Sequence, residues 1–102
     1  MSVETVRADW ERGFAALEKQ KSEPRRYARL LGAVEAVTAE LRARVGQTFT
    51  LDQLVDAYSD AERWAREAVS EHAPYEGWPR DLVLVQDAAF HLYARGALDF
   101  AP

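Results

Sequence analysis

Residues 23–45 read EPRRYARLLGAVEAVTAELRARV, and this stretch decides the fold class. Its large apolar side chains follow a helical period of three or four residues: Tyr27, Leu30, Leu31, Val34, Val37, Leu41 and Val45. Residues at that spacing share one face of an α-helix, so the pattern predicts an amphipathic helix of more than six turns. We expect Ser22 to cap its start, Pro24 to lie in its first turn and Gly46 to end it.

A second amphipathic segment precedes this helix and predicts another helix, over residues 3–20. Its apolar residues are again three or four positions apart: Val3, Val6, Trp10, Phe14 and Leu17. Alanines raise the helix propensity of this segment, whereas Gly13 lowers it. Only a few residues separate the two helices, so they are predicted to form a helical hairpin.

The segment after Gly46 predicts a third helix, over residues 51–72. Thr50 and Gln53 match a capping box, in which each side chain accepts a hydrogen bond from the other residue's backbone N–H. A second such pattern begins at Ser59, so the segment is either one helix or two helices that meet there. The apolar stripe continues through Ser59 without a change of phase, which favours one helix.

The last part of the chain predicts a loop over residues 73–79 and a fourth helix over residues 81–95. Two prolines and a glycine exclude regular structure from the loop, while Asp81 is expected to cap the helix and Gly96 to end it. The helix is apolar around most of its circumference, which is typical of a central helix. Its polar side chains form a narrow wedge: Gln86, Asp87 and His91. The tail adds two apolar side chains that we expect to dock on the bundle: Leu98 and Phe100.

These elements predict an all-α fold in a single domain, residues 1–102, with a four-helix antiparallel bundle built on the N-terminal helical hairpin. The helix over residues 23–45 is about 34 Å long at about 1.5 Å per residue, against a width of about 26 Å for a compact chain of this size. We therefore expect an elongated molecule. A projecting hairpin would expose its apolar seam, and this predicts a homodimer in which a second copy covers the seam.

Composition excludes several classes of protein. The 102 residues carry a net charge of −4 and include no cysteine, so disulfides, thiolate zinc sites and cysteine nucleophiles are excluded. Residues 1–46 hold nine Lys/Arg against seven Asp/Glu, whereas residues 47–102 hold four against ten. The chain has neither an apolar run of about 20 residues nor an N-terminal signal pattern, which predicts a cytoplasmic protein. Frequent alanine and arginine with no isoleucine or asparagine indicate GC-rich codons and predict a bacterial origin.

Two features predict a protein-binding surface. Five basic residues cluster at the tip of the hairpin: Lys19, Lys21, Arg25, Arg26 and Arg29. The loop aromatics Tyr75 and Trp78 lie between prolines, so they would lose little conformational entropy on docking, and aromatic residues often dominate binding energy. The sequence therefore predicts a small non-catalytic interaction module, a regulatory or adaptor protein. Its predicted protein-binding residues are Arg25, Arg26, Arg29, Tyr75 and Trp78.

Two other functions stay open as alternatives. The first is nucleic-acid binding through the basic hairpin tip or a divergent helix-turn-helix over residues 50–67, although the negative net charge opposes it. The second is a metal-dependent enzyme that uses Asp87 and His91, joined by Glu71 and His72. An Asp and a His one helical turn apart more often form a hydrogen-bonded pair, and no nucleophile or phosphate-binding motif is present. We predict no catalytic residue, no metal and no cofactor.

Overall fold

Helices are the regular elements of this protein, which we describe from a computed structural model covering residues 2–100, with side chains described for residues 2–95. Its five α-helices are α1 (Val3–Lys19), α2 (Pro24–Val45), α3 (Leu51–Ser59), α4 (Ala61–His72) and α5 (Trp78–Phe100). The 3-10 turn Gln20–Ser22 connects α1 to α2. The predicted all-α fold class is confirmed, with five helices in this part of the chain rather than four. None of the described helices is both long and apolar enough to cross a membrane.

α1 and α2 follow each other across the 3-10 turn, but they do not pack on each other as the predicted hairpin, because α5 packs against both of them. We keep the name hairpin tip for the connection between α1 and α2, which also differs from the prediction. The Ser2 hydroxyl accepts a hydrogen bond from the Thr5 backbone N–H and so caps α1. Ser22 does not cap α2: it lies in the 3-10 turn, and its hydroxyl donates to the Lys19 carbonyl at 3.4 Å. Glu23 precedes α2 and makes no side-chain cap bond.

The prediction of one helix over residues 51–72 is wrong, because α3 and α4 are separate. The capping box at the start of α3 is confirmed by hydrogen bonds of 3.2 Å to the Thr50 hydroxyl and 2.8 Å to the Gln53 side chain. At the other end the Ser59 hydroxyl donates to the Asp56 carbonyl at 2.6 Å. Such local bonds compete with the helical pattern. The chain leaves the helix at Asp60 (φ −102°, ψ 0°) and re-enters it one residue later.

The last helix is longer than predicted at both ends. α5 begins at Trp78 rather than Asp81, so Asp81 lies in its first turn and is not a cap. The helix also continues through Gly96 to Phe100. The side chains of Leu98 and Phe100, whose docking the sequence predicted, lie outside the described residues.

The central position predicted for the last helix is confirmed. α5 packs against α1, α2 and α4, and it contributes Leu82, Val85 and Phe90 to the buried core. The apolar faces of α1 and α2 are buried in the same chain, including these side chains: Val6, Trp10, Leu17, Leu30, Val34, Val37 and Leu41.

The expectation of an elongated molecule with a projecting hairpin is wrong. The radius of gyration is 12.9 Å and the extents are 38 × 26 × 24 Å, close to the value expected for a compact chain of this length. Because α5 covers the seam, the reason for expecting a second copy there no longer holds. A homodimer would have to form through other surfaces.

α1 and α5 approach each other closely at Gly13. A Cβ atom at this position would lie 2.4 Å from the Asp87 Cβ and 3.1 Å from the Ala88 backbone nitrogen. Gly13 lowers helix propensity, but its missing side chain lets the two helix backbones meet.

Candidate protein-binding surface

The two regions predicted to bind a partner lie side by side. Arg26 of α2 forms a two-pronged ion pair with Asp81 of α5, with N–O distances of 3.2 and 3.1 Å. The Tyr75 hydroxyl donates to the same carboxylate at 2.9 Å. Asp81 therefore fastens the loop before α5 to the tip of the hairpin. We call the combined area the tip–loop surface and define it by Arg25, Arg26, Arg29, Tyr75 and Trp78.

Arg26 and Tyr75 hold this surface together. The Arg26 Nε donates to the Gln20 side chain at 2.9 Å, so its guanidinium joins the connecting turn, α2 and α5. Burial and the bond to Asp81 raise the pKa of Tyr75 above its usual value, while the charges of Arg26 and Arg29 act in the opposite direction. Tyr75 therefore stays a neutral hydrogen-bond donor. Both groups are already engaged within the chain and are positioning residues in this surface.

Arg25 and Arg29 present their charge to solvent. Both are exposed and lie four residues apart on one face of α2. Among the side chains of residues 2–95, no carboxylate lies within 4 Å of either guanidinium. By contrast, Lys21 of the same basic cluster pairs with Glu18 at 2.5 Å. Arg25 and Arg29 are thus exposed charges without an ion pair among the described side chains.

Trp78 is half-buried and packs against the core at the start of α5. The Arg66 guanidinium lies 5.9 Å from the centre of its ring, at the outer limit of a cation–π contact. The chain enters α5 through Gly77, whose φ of +89° favours glycine. Part of the Trp78 side chain is therefore committed to internal packing, and the rest is exposed.

Sequence reasoning missed Asp81 as the residue that joins the two regions. Asp81 directly precedes an apolar segment, and an aspartate in that position usually indicates a helix cap. Its partner Arg26 is 55 residues away along the chain, and nothing in the local pattern connects them.

Replacing Asp81 with alanine is expected to release the loop from the hairpin. The variant loses acceptors for Arg26 and Tyr75, and we expect the free energy of unfolding to fall by about 1–2 kcal/mol, since Arg26 is partly exposed. Amide hydrogen exchange of residues 75–80 should become faster than in the wild type. Asp56→Ala, at an exposed carboxylate of α3, is the matched control. Equal exchange rates in both variants would show that Asp81 does not hold the loop.

The geometry of α3 and α4 does not favour the helix-turn-helix alternative. Only Asp60 separates the two helices, whereas that motif has a turn of three or four residues. The exposed side of α4 carries three carboxylates and two arginines: Glu62, Arg63, Arg66, Glu67 and Glu71.

Asp87 and His91 both face α1, but they have separate partners. Asp87 is 7% exposed and accepts a 2.6 Å hydrogen bond from the Tyr58 hydroxyl. Burial raises the pKa of Asp87 to about 6. The His91 ring stacks on Phe14 at 4.6 Å, and burial lowers the pKa of His91.

The structure does not assemble the metal site considered from the sequence. Glu71 and His72 are exposed near the end of α4 and lie 3.7 Å from each other. Within the described part of the chain, no group of three or more His, Asp or Glu side chains could hold a metal ion.

We compared the chain with protein-family models, curated proteins and solved structures. No family model, curated protein or solved structure matches this chain.

Proposed function

We propose that this chain is a non-catalytic interaction module that binds an acidic segment of another protein through the tip–loop surface. Arg25 and Arg29 would pair with carboxylates of the partner. The exposed parts of Tyr75 and Trp78 would supply apolar contact beside them. A regulatory or adaptor role is consistent with a small helical domain whose binding groups lie on its outside.

The observation that carries the proposal is the pairing pattern of the three arginines. Arg26 is held by Asp81, which fixes the loop, while Arg25 and Arg29 extend from the same helix without a carboxylate within 4 Å among residues 2–95. Arginine and aromatic side chains are the residue types that most often dominate protein interfaces. A pre-ordered surface also loses less entropy on binding than a mobile one.

Quantitative affinity capture with a charge-reversed bait tests this proposal. The test variant is Arg25→Glu/Arg29→Glu. The control is Arg42→Glu/Arg63→Glu, which changes the net charge equally at exposed positions outside the tip–loop surface. We expect the wild type and the control to recover the same partner from the native host, and the test variant to lose it by about tenfold or more. Equal recovery by all three proteins would refute the proposal.

The same pair of variants separates protein binding from nucleic-acid binding. Titration of the chain with duplex DNA and RNA at low salt should show no binding that depends on Arg25 and Arg29. A steep loss of affinity with rising salt, abolished by the test variant alone, would favour the nucleic-acid alternative instead.

A further inference from the structure

α3 is held to the rest of the molecule by few buried side chains. Leu54 is its one fully buried residue, whereas the 12-residue α4 buries five. Irregular backbone borders α3 on both sides: residues 46–50 before it, beginning at Gly46 with a φ of +90°, and Asp60 after it. Segments with few buried contacts open more readily than the core of a protein. These features make α3 a unit for local opening.

Tyr58, in the last turn of α3, fastens this helix to α1 and α5. Its ring makes edge contacts with Trp10 of α1 and Phe90 of α5, and the ring centres are 5.7 and 5.1 Å apart. Its hydroxyl donates a 2.6 Å hydrogen bond to Asp87 of α5. The closed position of α3 therefore depends on one side chain and on the state of the carboxyl group that this side chain covers.

The surroundings of Tyr58 include buried polar atoms that lack partners. The Trp10 Nε1 and the Gln86 Oε1 are buried and make no hydrogen bond within the described part of the chain. Burial raises the pKa of Tyr58 and the neighbouring Gln86 side chain lowers it, so Gln86 lies beside the same hydroxyl. Unpaired buried polar atoms raise the free energy of the closed state, because they have lost their hydrogen bonds to water.

The carboxyl group of Asp87 is the titratable group at this junction. It is 7% exposed, and burial raises its pKa to about 6. The other groups that act on it are Tyr58 of α3, whose hydrogen bond lowers the pKa, and two residues of α1: Asp9 raises it and Arg12 lowers it. A neutral Asp87 therefore suits the closed position. An ionised Asp87 is short of solvation there, and water reaches it when α3 moves away.

We propose that α3 is a pH-sensitive lid, which opens away from α1 and α5 when Asp87 loses its proton. Opening carries Tyr58 off the aromatic face formed by Trp10 and Phe90, so this face is accessible only in the open state. The lid uses no residue of the tip–loop surface, and its test is therefore independent of the proposed function.

The direction of the pH dependence follows from the two states of Asp87. The closed state holds the proton more tightly than the open state, in which the carboxyl group has an ordinary pKa of about 3.9. Opening therefore becomes more favourable as pH rises from about 4 to about 6 and changes little above that range. Between pH 4 and pH 7 the opening equilibrium constant should rise by about 50-fold.

Native-state hydrogen exchange of the intact chain measures this opening. The protection factors of backbone amides 55–58 in α3 are compared with those of amides 37–41 in α2, after correction for the pH dependence of intrinsic exchange. We expect the α3 amides to be at least about tenfold less protected at pH 7. Low concentrations of urea should leave their exchange unchanged, whereas the α2 amides should exchange faster because they follow global unfolding. Equal protection and equal urea dependence of both helices would overturn the lid.

Variants then test the role of Asp87. Asp87→Asn should abolish the rise in α3 opening between pH 4 and pH 7, whereas Asp56→Asn, at an exposed position of α3 itself, should retain it. Tyr58→Phe keeps the ring but loses the donor to the carboxylate, and it should increase opening at pH 7 by about tenfold or more. Circular dichroism identifies a variant that fails to fold, and Asp87→Asn decides the question if Tyr58→Phe does so. A rise with pH that persists in Asp87→Asn would contradict the proposal.

Discussion

Replacing Gly13 with alanine is expected to lower the free energy of unfolding by about 2 kcal/mol or more. The added Cβ would lie 2.4 Å from the Asp87 Cβ and 3.1 Å from the Ala88 backbone nitrogen, so α5 must move away from α1. Alanine favours a helix over glycine by about 1 kcal/mol, and the loss from overpacking must exceed that gain. Chemical denaturation of the two proteins at one pH measures the difference.

Gly32→Ala is the matched control for this prediction. Gly32 also lies within a helix, α2, but a Cβ there has no other atom within 4 Å. Helix propensity alone therefore decides the result, and we expect a gain of about 0.5–1 kcal/mol in the free energy of unfolding. The two substitutions should thus change the free energy of unfolding in opposite directions. Stabilisation by both would mean that α1 and α5 do not meet at Gly13.

The second large effect is expected at Asp87 and depends on pH. Burial raises the pKa of Asp87 to about 6; the nearby Asp9 raises it further, while the Tyr58 hydrogen bond and Arg12 lower it. A carboxyl group has a pKa of about 3.9 in an unfolded chain. The native protein therefore holds this proton more tightly, and the contribution of Asp87 to stability falls as pH rises through the window between about 4 and 6.

Asp87→Asn removes this titration and keeps an oxygen that can accept from Tyr58. Relative to the wild type, the variant should gain about 2–3 kcal/mol in the free energy of unfolding between pH 4 and pH 7. The measurement is the difference between the two proteins at each pH, because other carboxylates titrate in both. Asp56→Asn, at an exposed position, should show no such gain. A difference that does not change with pH would contradict the assignment of a raised pKa to Asp87.

Periodicity in the sequence was sufficient to predict the all-α class and the buried faces of α1 and α2, but it did not predict the break at Asp60 or the start of α5 at Trp78. A helix that buries one side must repeat apolar residues every three or four positions, so Val34 and Leu41 of α2 and Val6 of α1 indicated the core directly. The capping box at Thr50 was likewise predictable, because both of its hydrogen bonds lie within four residues.

The features that depend on tertiary contacts were not predictable from a single sequence. Asp81 has the pattern of a cap, and only the fold brings Arg26 to it. From the sequence, Gly13 only lowers the helix propensity of α1. In the fold, its missing side chain makes room for α5. The polar wedge of α5 was recognised, but its Asp87 is buried against α1 and Tyr58 rather than directed outward.

The sequence identified the candidate binding residues but not their positions relative to one another. Charge density indicated the hairpin tip, and proline-bounded aromatics indicated the loop. The sequence could not show that these regions form one surface, nor that Arg26 is engaged while Arg25 and Arg29 are exposed. The difference between Arg26 and the other two arginines results from its long-range ion pair with Asp81.

The most direct test of the tip–loop surface is a charge-reversal experiment. It measures the dissociation constant between this chain and its captured partner, with the charges reversed on either side. Arg25→Glu/Arg29→Glu should weaken binding by about tenfold or more, which corresponds to about 1.4 kcal/mol. Reversing the partner's acidic residues to lysine should restore affinity for the reversed chain and weaken it for the wild type. An affinity that neither reversal changes would show that the partner binds elsewhere on the molecule.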